Sequence, residues 1–320
     1  MSKKIRWGII GAGRIAAQFA NDIKYTSNAE LVAIAARDME RAQAFADTHQ
    51  LATAYGDYDS LYRAENVDAV YIATPHTHHK QQTINAVNAG KAVLCEKPFT
   101  VNSEECEELI EMATTSGQYI MEGVWTYFLP ALQKAKQWVD EGRIGSIKHV
   151  KVDFGYPQLP FDPKRREYNK DLAGGCLLEM GIYPIAMAWY FLQRDPITMK
   201  VLAGKAPNGV EDDVSMLFDY GDMTATLGTS FRCKLQNWCY VIGDEGYIAI
   251  PDFWRANECF LYQLDTQVEH FDDQRKGQGF EFEIEAVSND ILSGQKQSIV
   301  MPLDNSLRFQ QHIDRIRTHL

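Results

Sequence analysis

The sequence predicts an α/β fold in two parts. The first is a doubly wound parallel sheet of the Rossmann type; the second is an α+β domain with a large, mainly antiparallel sheet. Three observations predict it. Apolar strands alternate with helical patterns through the first third of the 320-residue chain, which implies parallel pairing through crossover helices. From near residue 122 strands follow one another with only turns between them, which implies antiparallel pairing. Between the first strand and the first helix lies a glycine-rich turn, Gly8-Ile9-Ile10-Gly11-Ala12-Gly13-Arg14-Ile15-Ala16.

The elements follow in order. Ile5–Ile10 is a short apolar run that reaches glycine, hence a strand. Ile15, Phe19, Ala20 and Ile23 have helical spacing. Leu31–Ala36 is a second buried strand, followed by helical patterns at Met39–His49 and Asp57–Ala64. Asp68–Ala73 is the third strong strand, Thr77–Asn88 a helix with Gly90 at its stop, and Ala92–Cys95 a strand. Ser103–Ser116 is a helix with Ser103 as the expected cap. Beyond it Gln133–Asp140 is helical and Gly142 stops it. Ile147–Phe154, Val214–Tyr220, Thr224–Phe231, Cys239–Ile242 and Tyr247–Ile250 alternate as strands. One long helix, Leu177–Leu192, interrupts them, and two more, Phe280–Leu292 and Asn305–His319, end the chain. The domains are expected at 1–122 and 123–320.

Composition removes several functions. With 32 basic against 43 acidic residues the formal net charge is -11, against the basic footprint of nucleic-acid binding. Ile5–Ile10 is too short and too broken by Arg6 for a signal peptide. No apolar run approaches the ~18 residues of a membrane span; Ala186–Leu192 is a core segment. The six cysteines are scattered without a C-x-x-C pair, which reads as reduced thiols and a cytoplasmic protein.

The glycine turn now acquires a function. Gly11-x-Gly13-x-x-Ala16 matches the dinucleotide fingerprint in its required strand–turn–helix setting. Gly11 permits the tight turn, Gly13 lets a pyrophosphate approach the backbone, and Ala16 lets helix pack on strand. Arg14 and Ile15 open the helix whose N–H groups face the phosphates. Residues 1–122 are therefore the expected dinucleotide-binding domain. After the second strand comes Arg37-Asp38. Arg37 suits a 2′-phosphate through its planar fork; Asp38 suits a ribose hydroxyl. The expectation is NADP, with NAD as the alternative.

Two further stretches sit at strand ends, where open sheets bind ligands: Ala73-Thr74-Pro75-His76-Thr77-His78-His79 and Cys95-Glu96-Lys97-Pro98. The fingerprint, A-T-P and E-K-P at these intervals resemble the Gfo/Idh/MocA oxidoreductase family over the whole chain. Glu122-Gly123-Val124-Trp125-Thr126-Tyr127-Phe128 and Gly174-Gly175-Cys176-Leu177-Leu178-Glu179-Met180-Gly181-Ile182-Tyr183-Pro184 most resemble its branch of dihydrodiol and NADP-dependent xylose dehydrogenases. The resemblance implies hydride transfer between a nicotinamide and a secondary alcohol or ketone carbon of a sugar, polyol or cyclic diol. It implies that Lys97 is the E-K-P lysine, a cation that favours alkoxide character at the reacting oxygen. It makes Tyr183 the proton donor or acceptor, with its pKa of about 10 lowered by Lys97. Glu179, four residues before Tyr183 and on the same helical face, assists; the branch has Asp there. Thr74, Pro75, His79 and Glu96 join the cofactor site by the same resemblance, His79 in a positioning role at the nicotinamide side.

Trp125 and Tyr127 are candidate walls of a substrate pocket, with Tyr127 where the branch has Arg. Arg166 is a candidate for substrate hydroxyls or a carboxylate; a solvated loop is the alternative. His76, His78 and His79 invite a metal, but a catalytic site needs a third ligand and an open position; no other His-rich or Cys-rich stretch supplies it, and no metal is expected. A non-catalytic redox sensor on the same fold is the rival function. The open face of the second sheet is an expected dimer surface.

Overall fold

A computed structural model describes residues 3–320. They form two compact units. One runs to Phe128 and takes in Arg275–Leu307; the other comprises Leu129–Gln274 and Arg308–Leu320.

The first unit is built on β1 (Ile5–Ile10), β2 (Ala29–Ala35), β3 (Thr53–Tyr55), β4 (Ala69–Ile72), β5 (Ala92–Glu96) and β6 (Ile120–Gly123). The sheet order is β3-β2-β1-β4-β5-β6, and every pairing is parallel. β4 and β5 are buried along their whole length, as strands covered on both faces must be, so they read as unbroken apolar runs. The order reverses between β1 and β4, which opens a crevice at their carboxyl ends. The connecting helices are α1 (Arg14–Asp22), α2 (Met39–His49), α3 (Tyr58–Tyr62), α4 (His79–Asn88) and α5 (Ser103–Ser116).

Local corrections have local causes. β3 escapes periodicity because it has three half-buried residues. β6 escapes because its buried run, IMEG, contains Glu and Gly. α4 begins at His79, after a 3-10 turn His76–His78 that Pro75 precedes. The cap of α5 is Asn102, not Ser103: the Asn102 side chain accepts the Glu105 N–H at 2.9 Å.

The second unit begins with α6 (Pro130–Asp140). Its strands are β7 (Ile147–Gly155), β8 (Thr198–Lys205), β9 (Glu211–Asp219), β10 (Thr224–Ser230), β11 (Cys239–Gly243), β12 (Tyr247–Ile250), β13 (Glu258–Gln263) and β14 (Thr266–Asp272). They form one eight-stranded sheet in the order β14-β13-β12-β11-β7-β10-β9-β8. All pairings are antiparallel except β10 on β7. β8 and β14 are edge strands with exposed, poorly alternating residues, and neither they nor β13 stand out in the sequence.

The predicted helix Leu177–Leu192 is two elements: a π-helical turn, Leu177–Gly181, then α7 (Ile182–Leu192). α6 and α7 lie against the sheet. Leu202 and Leu217 project from the sheet and are 77% and 41% exposed. The helical stretch Lys170–Leu192 contains an 18-residue run apolar enough to cross a membrane, but 83% of that run is buried. It is the core helix of this unit.

The chain then returns to the first unit with α8 (Phe280–Leu292), and α9 (Leu303–Arg317) ends it. α8 packs on α1 and β1, and Trp7 Nε1 donates to Ser288 Oγ at 3.0 Å. All six cysteines are free.

Candidate active site

The turn after β1 needs its glycines. Gly11 has φ +96°, and a Cβ there would lie 2.7 Å from the Ala73 carbonyl oxygen. Only glycine tolerates both conditions. Gly13 is the N-cap of α1, extended and without a side-chain cap, and the first turn of α1 holds no acid. A Cβ on Gly13 would meet nothing within 4 Å, so the space before the helix is open. Bare N–H groups and an unopposed positive helix end suit a pyrophosphate. Ala16 is fully buried beneath, Ile15 half-buried, and Arg14 exposed at the rim.

After β2 the neighbours Arg37 and Asp38 differ in their partners. Asp38 caps α2, its Oδ1 accepting the Arg41 N–H at 2.9 Å. Arg37 is exposed and makes no ion pair or side-chain hydrogen bond among the described residues. Tyr58 lies within the field of both Arg37 and Arg41; burial pushes its hydroxyl up and the two guanidinium groups pull it down.

At the ends of β4 and β5 the motif residues hold one another. The Thr74 hydroxyl donates to Gln82 Oε1. His79 is fully buried, with Nδ1 2.8 Å from the Pro98 carbonyl and Nε2 2.8 Å from that of Thr74. It thus bridges the A-T-P and E-K-P loops. Burial first, then the charge of His76, push its pKa down to about 3, so the ring is neutral at physiological pH and donates to one of the two carbonyls. Both nitrogens face protein carbonyls, so His79 is no metal ligand here. His78 is exposed and His76 buried.

The Lys97–Pro98 peptide is cis. The turn is held on both sides: Glu96 Oε2 accepts the Lys97 N–H at 3.2 Å and Glu122 Oε1 accepts the Phe99 N–H at 2.8 Å. The Tyr71 hydroxyl donates to Glu96 Oε1. Burial pushes Glu122 up to about 7, while the Ser306 hydroxyl, the Phe99 N–H and the Lys97 charge pull it down. The Glu96 carboxylate thus supports the turn by accepting a backbone N–H, a role the strand pattern alone does not reveal. Trp125 and Tyr127 lie in a 3-10 turn, Trp125–Phe128, and are buried. Trp125 stacks on Phe280 with centroids 4.4 Å apart and planes at 13°.

In the second unit two predicted residues meet. Arg166 grips Glu179 with a two-pronged ion pair, NH1 to Oε2 at 2.5 Å and NH2 to Oε1 at 2.7 Å. The α-helical spacing argument for Glu179 and Tyr183 does not hold as stated, because Glu179 lies in the π-helical turn and Tyr183 in α7. Tyr183 is buried. Its ring meets Phe154 edge-on at 5.3 Å, and Phe154 touches Phe253 and Trp254 in turn. This aromatic nest joins β7, α7 and the 3-10 turn Phe253–Arg255. The inward alternation of β7 was its only trace in the sequence.

Residues 5–124 match the oxidoreductase family described as having an NAD-binding Rossmann fold, and residues 132–249 match the Gfo/Idh/MocA C-terminal domain. A trans-1,2-dihydrobenzene-1,2-diol dehydrogenase of Mus musculus is 32% identical, over 98% of this chain and 96% of the relative. The human enzyme of that name is 31% identical over the same shares. A solved 3-ketoreductase from Actinomadura kijaniata, in complex with NADP, has a TM-score of 0.87 and 27% identity over 99% of this chain and 98% of its own. An aldose-aldose oxidoreductase from Caulobacter crescentus, 23% identical, shares the fold with a TM-score of 0.90 over 99% of this chain and 97% of its own. The chain therefore belongs to the Gfo/Idh/MocA family of NAD(P)-dependent oxidoreductases.

Proposed function

We propose that the protein is an NADP-dependent dehydrogenase of cyclic diols and sugars. The observation that carries this is the pairing state at the end of β2: Asp38 is engaged as the α2 cap while Arg37 makes no ion pair among the described residues. An arginine without an ion pair suits a 2′-phosphate, and a capping aspartate is not directed to a ribose. Gly11, Gly13, Arg14 and Ile15 would hold the pyrophosphate. Thr74, Pro75, His79 and Glu96 would shape the loops around the nicotinamide.

The bound nicotinamide supplies the hydride acceptor or donor. Lys97 places an ammonium by the substrate oxygen, which favours alkoxide character as the C–H bond breaks. Tyr183 takes or returns the hydroxyl proton. Glu179 acts by fixing Arg166, which orients substrate hydroxyls. Trp125 and Tyr127 wall the pocket. The first unit is then the cofactor domain and the second the substrate and dimerisation domain, with the open sheet face between copies. Free thiols throughout suit a cytoplasmic enzyme.

The test is titration with NADPH and NADH by tryptophan fluorescence, then oxidation of trans-1,2-dihydrobenzene-1,2-diol and of D-xylose with NADP⁺. Preference for NADPH with turnover of either substrate supports the proposal. Tight NADPH binding with no turnover of any diol, sugar or ketone supports a sensor instead.

A further inference from the structure

Asp22 ends α1 and Glu281 is the second residue of α8. Both are buried, at 2% and 7% exposure. Asp22 Oδ2 accepts three successive backbone N–H groups: Gln278 at 2.8 Å, Gly279 at 3.1 Å and Phe280 at 3.1 Å. Glu281 Oε2 accepts the same Gly279 N–H at 2.8 Å. One donor therefore lies between two buried carboxyl groups. Gly277 leaves room for this: a Cβ there would fall 2.5 Å from the Glu281 carboxyl oxygens. Two full negative charges are strongly disfavoured in such a place, and carboxyls that share a site hold a proton between them. The backbone they grip carries Phe280, the ring stacked on Trp125.

We propose that Glu281 holds a proton towards the Asp22 carboxylate, that this proton latches the start of α8, and that the two are positioning residues for the Phe280–Trp125 stack. The latch stands on its own geometry; its effect on substrate rests on the reading of Trp125 as a pocket wall. With the proton bound, one carboxyl donates to the other through O–H···O⁻. When solvent takes the proton, two carboxylates repel across one N–H and the first turn of α8 loosens. Burial, and then the charge of Asp22, push Glu281 above its ordinary range. The elements packed on α8 carry Arg14 and Asp22 on α1, Lys24 and Tyr25 just after it, Arg6 on β1, Glu30 on β2 and Tyr127 in the turn Trp125–Phe128. Of these, Asp22 acts most strongly on Glu281. Further along α8, Glu283 feels Glu96 and Glu122. The latch is thus closed at lower pH and opens as pH rises.

The test is hydrogen exchange on the full chain, read in peptides covering 275–282 and corrected for the chemical rate, from about pH 6 to about pH 9. Wild-type protection should fall by at least about tenfold across that range, the factor that one pKa unit gives. Glu281→Gln, whose amide donates to Asp22 without titrating, should stay flat. Flat wild-type protection, or equal slopes in both proteins, overturns the latch. In parallel, KM for trans-1,2-dihydrobenzene-1,2-diol with NADP⁺ should rise with pH in the wild type and not in Glu281→Gln. Protection that titrates while KM does not overturns the positioning role and the Trp125 reading with it.

Discussion

At the residue scale, Lys97 gains its place from its neighbours. Glu96 and Glu122 hold the N–H groups of Lys97 and Phe99, so the turn is fixed whether or not the ammonium is engaged. Lys97→Met should therefore fold normally and lower kcat by about 10²–10³, seen by steady-state assay and unchanged circular dichroism. Tyr183→Phe keeps the ring against Phe154 and removes only the hydroxyl. A loss of about 10²–10⁴ in kcat is expected, and near-wild-type turnover would take Tyr183 out of the proton path. Arg37→Ala should weaken NADPH by roughly tenfold to hundredfold, the worth of a charge-assisted hydrogen bond, and leave NADH unchanged in the same fluorescence titration. Equal affinities unchanged by the substitution would return the ribose to Asp38. The fingerprint turn and the E-K-P loop were legible in the sequence because each is a short motif whose chemistry is local. Phe154 and Trp254 were not, because nothing in their own segments marks them as the surroundings of Tyr183.

At the element scale, helix ends carry the consequences. α1 has neither a side-chain cap nor an acid in its first turn, whereas α2, α3 and α5 are capped by Asp38, Asp57 and Asn102. Among the helices that follow strands of the parallel sheet, α1 and α4 lack a side-chain cap, and α1 is the one behind the glycine turn. Gly11→Ala sets a methyl against the Ala73 carbonyl at a positive φ. It should lower the melting temperature and abolish NADPH binding together. Asn102→Ala should cost about 1 kcal/mol in denaturant unfolding while Ser103→Ala is near neutral; the reverse order would restore Ser103 as the cap. The sequence pattern errs here by one residue, because Asn and Ser both make good caps and only backbone angles decide which side chain reaches the third N–H. Edge strands escape for a different reason: β3 and β14 bury too little to impose a period.

At the scale of the whole molecule, burial sets the response to pH. Glu122 is raised to about 7 by burial, so the folded protein binds a proton that the unfolded chain, near its ordinary value of about 4.3, has lost. Its contribution is complete at acid pH and is lost as pH rises from about 4.3 to about 7. Glu122→Gln should gain on the wild type by up to ~3 kcal/mol across that window in denaturant unfolding; parallel curves would show that Glu122 titrates normally. His79, lowered to about 3, works in the other direction, and its contribution is lost as pH falls below about 6.5. The sequence by itself determined the parallel sheet, the fingerprint turn, the A-T-P and E-K-P loops and the mainly antiparallel second sheet, because periodicity and short motifs are properties of neighbouring residues. The tertiary structure alone decided that 275–307 joins the first unit, that Asp22 grips a backbone 256 residues away, that Trp125 stacks on Phe280, and that Arg166 takes Glu179. Those contacts depend on which buried surfaces and unpaired charges meet once the chain has closed, and no local pattern encodes that meeting.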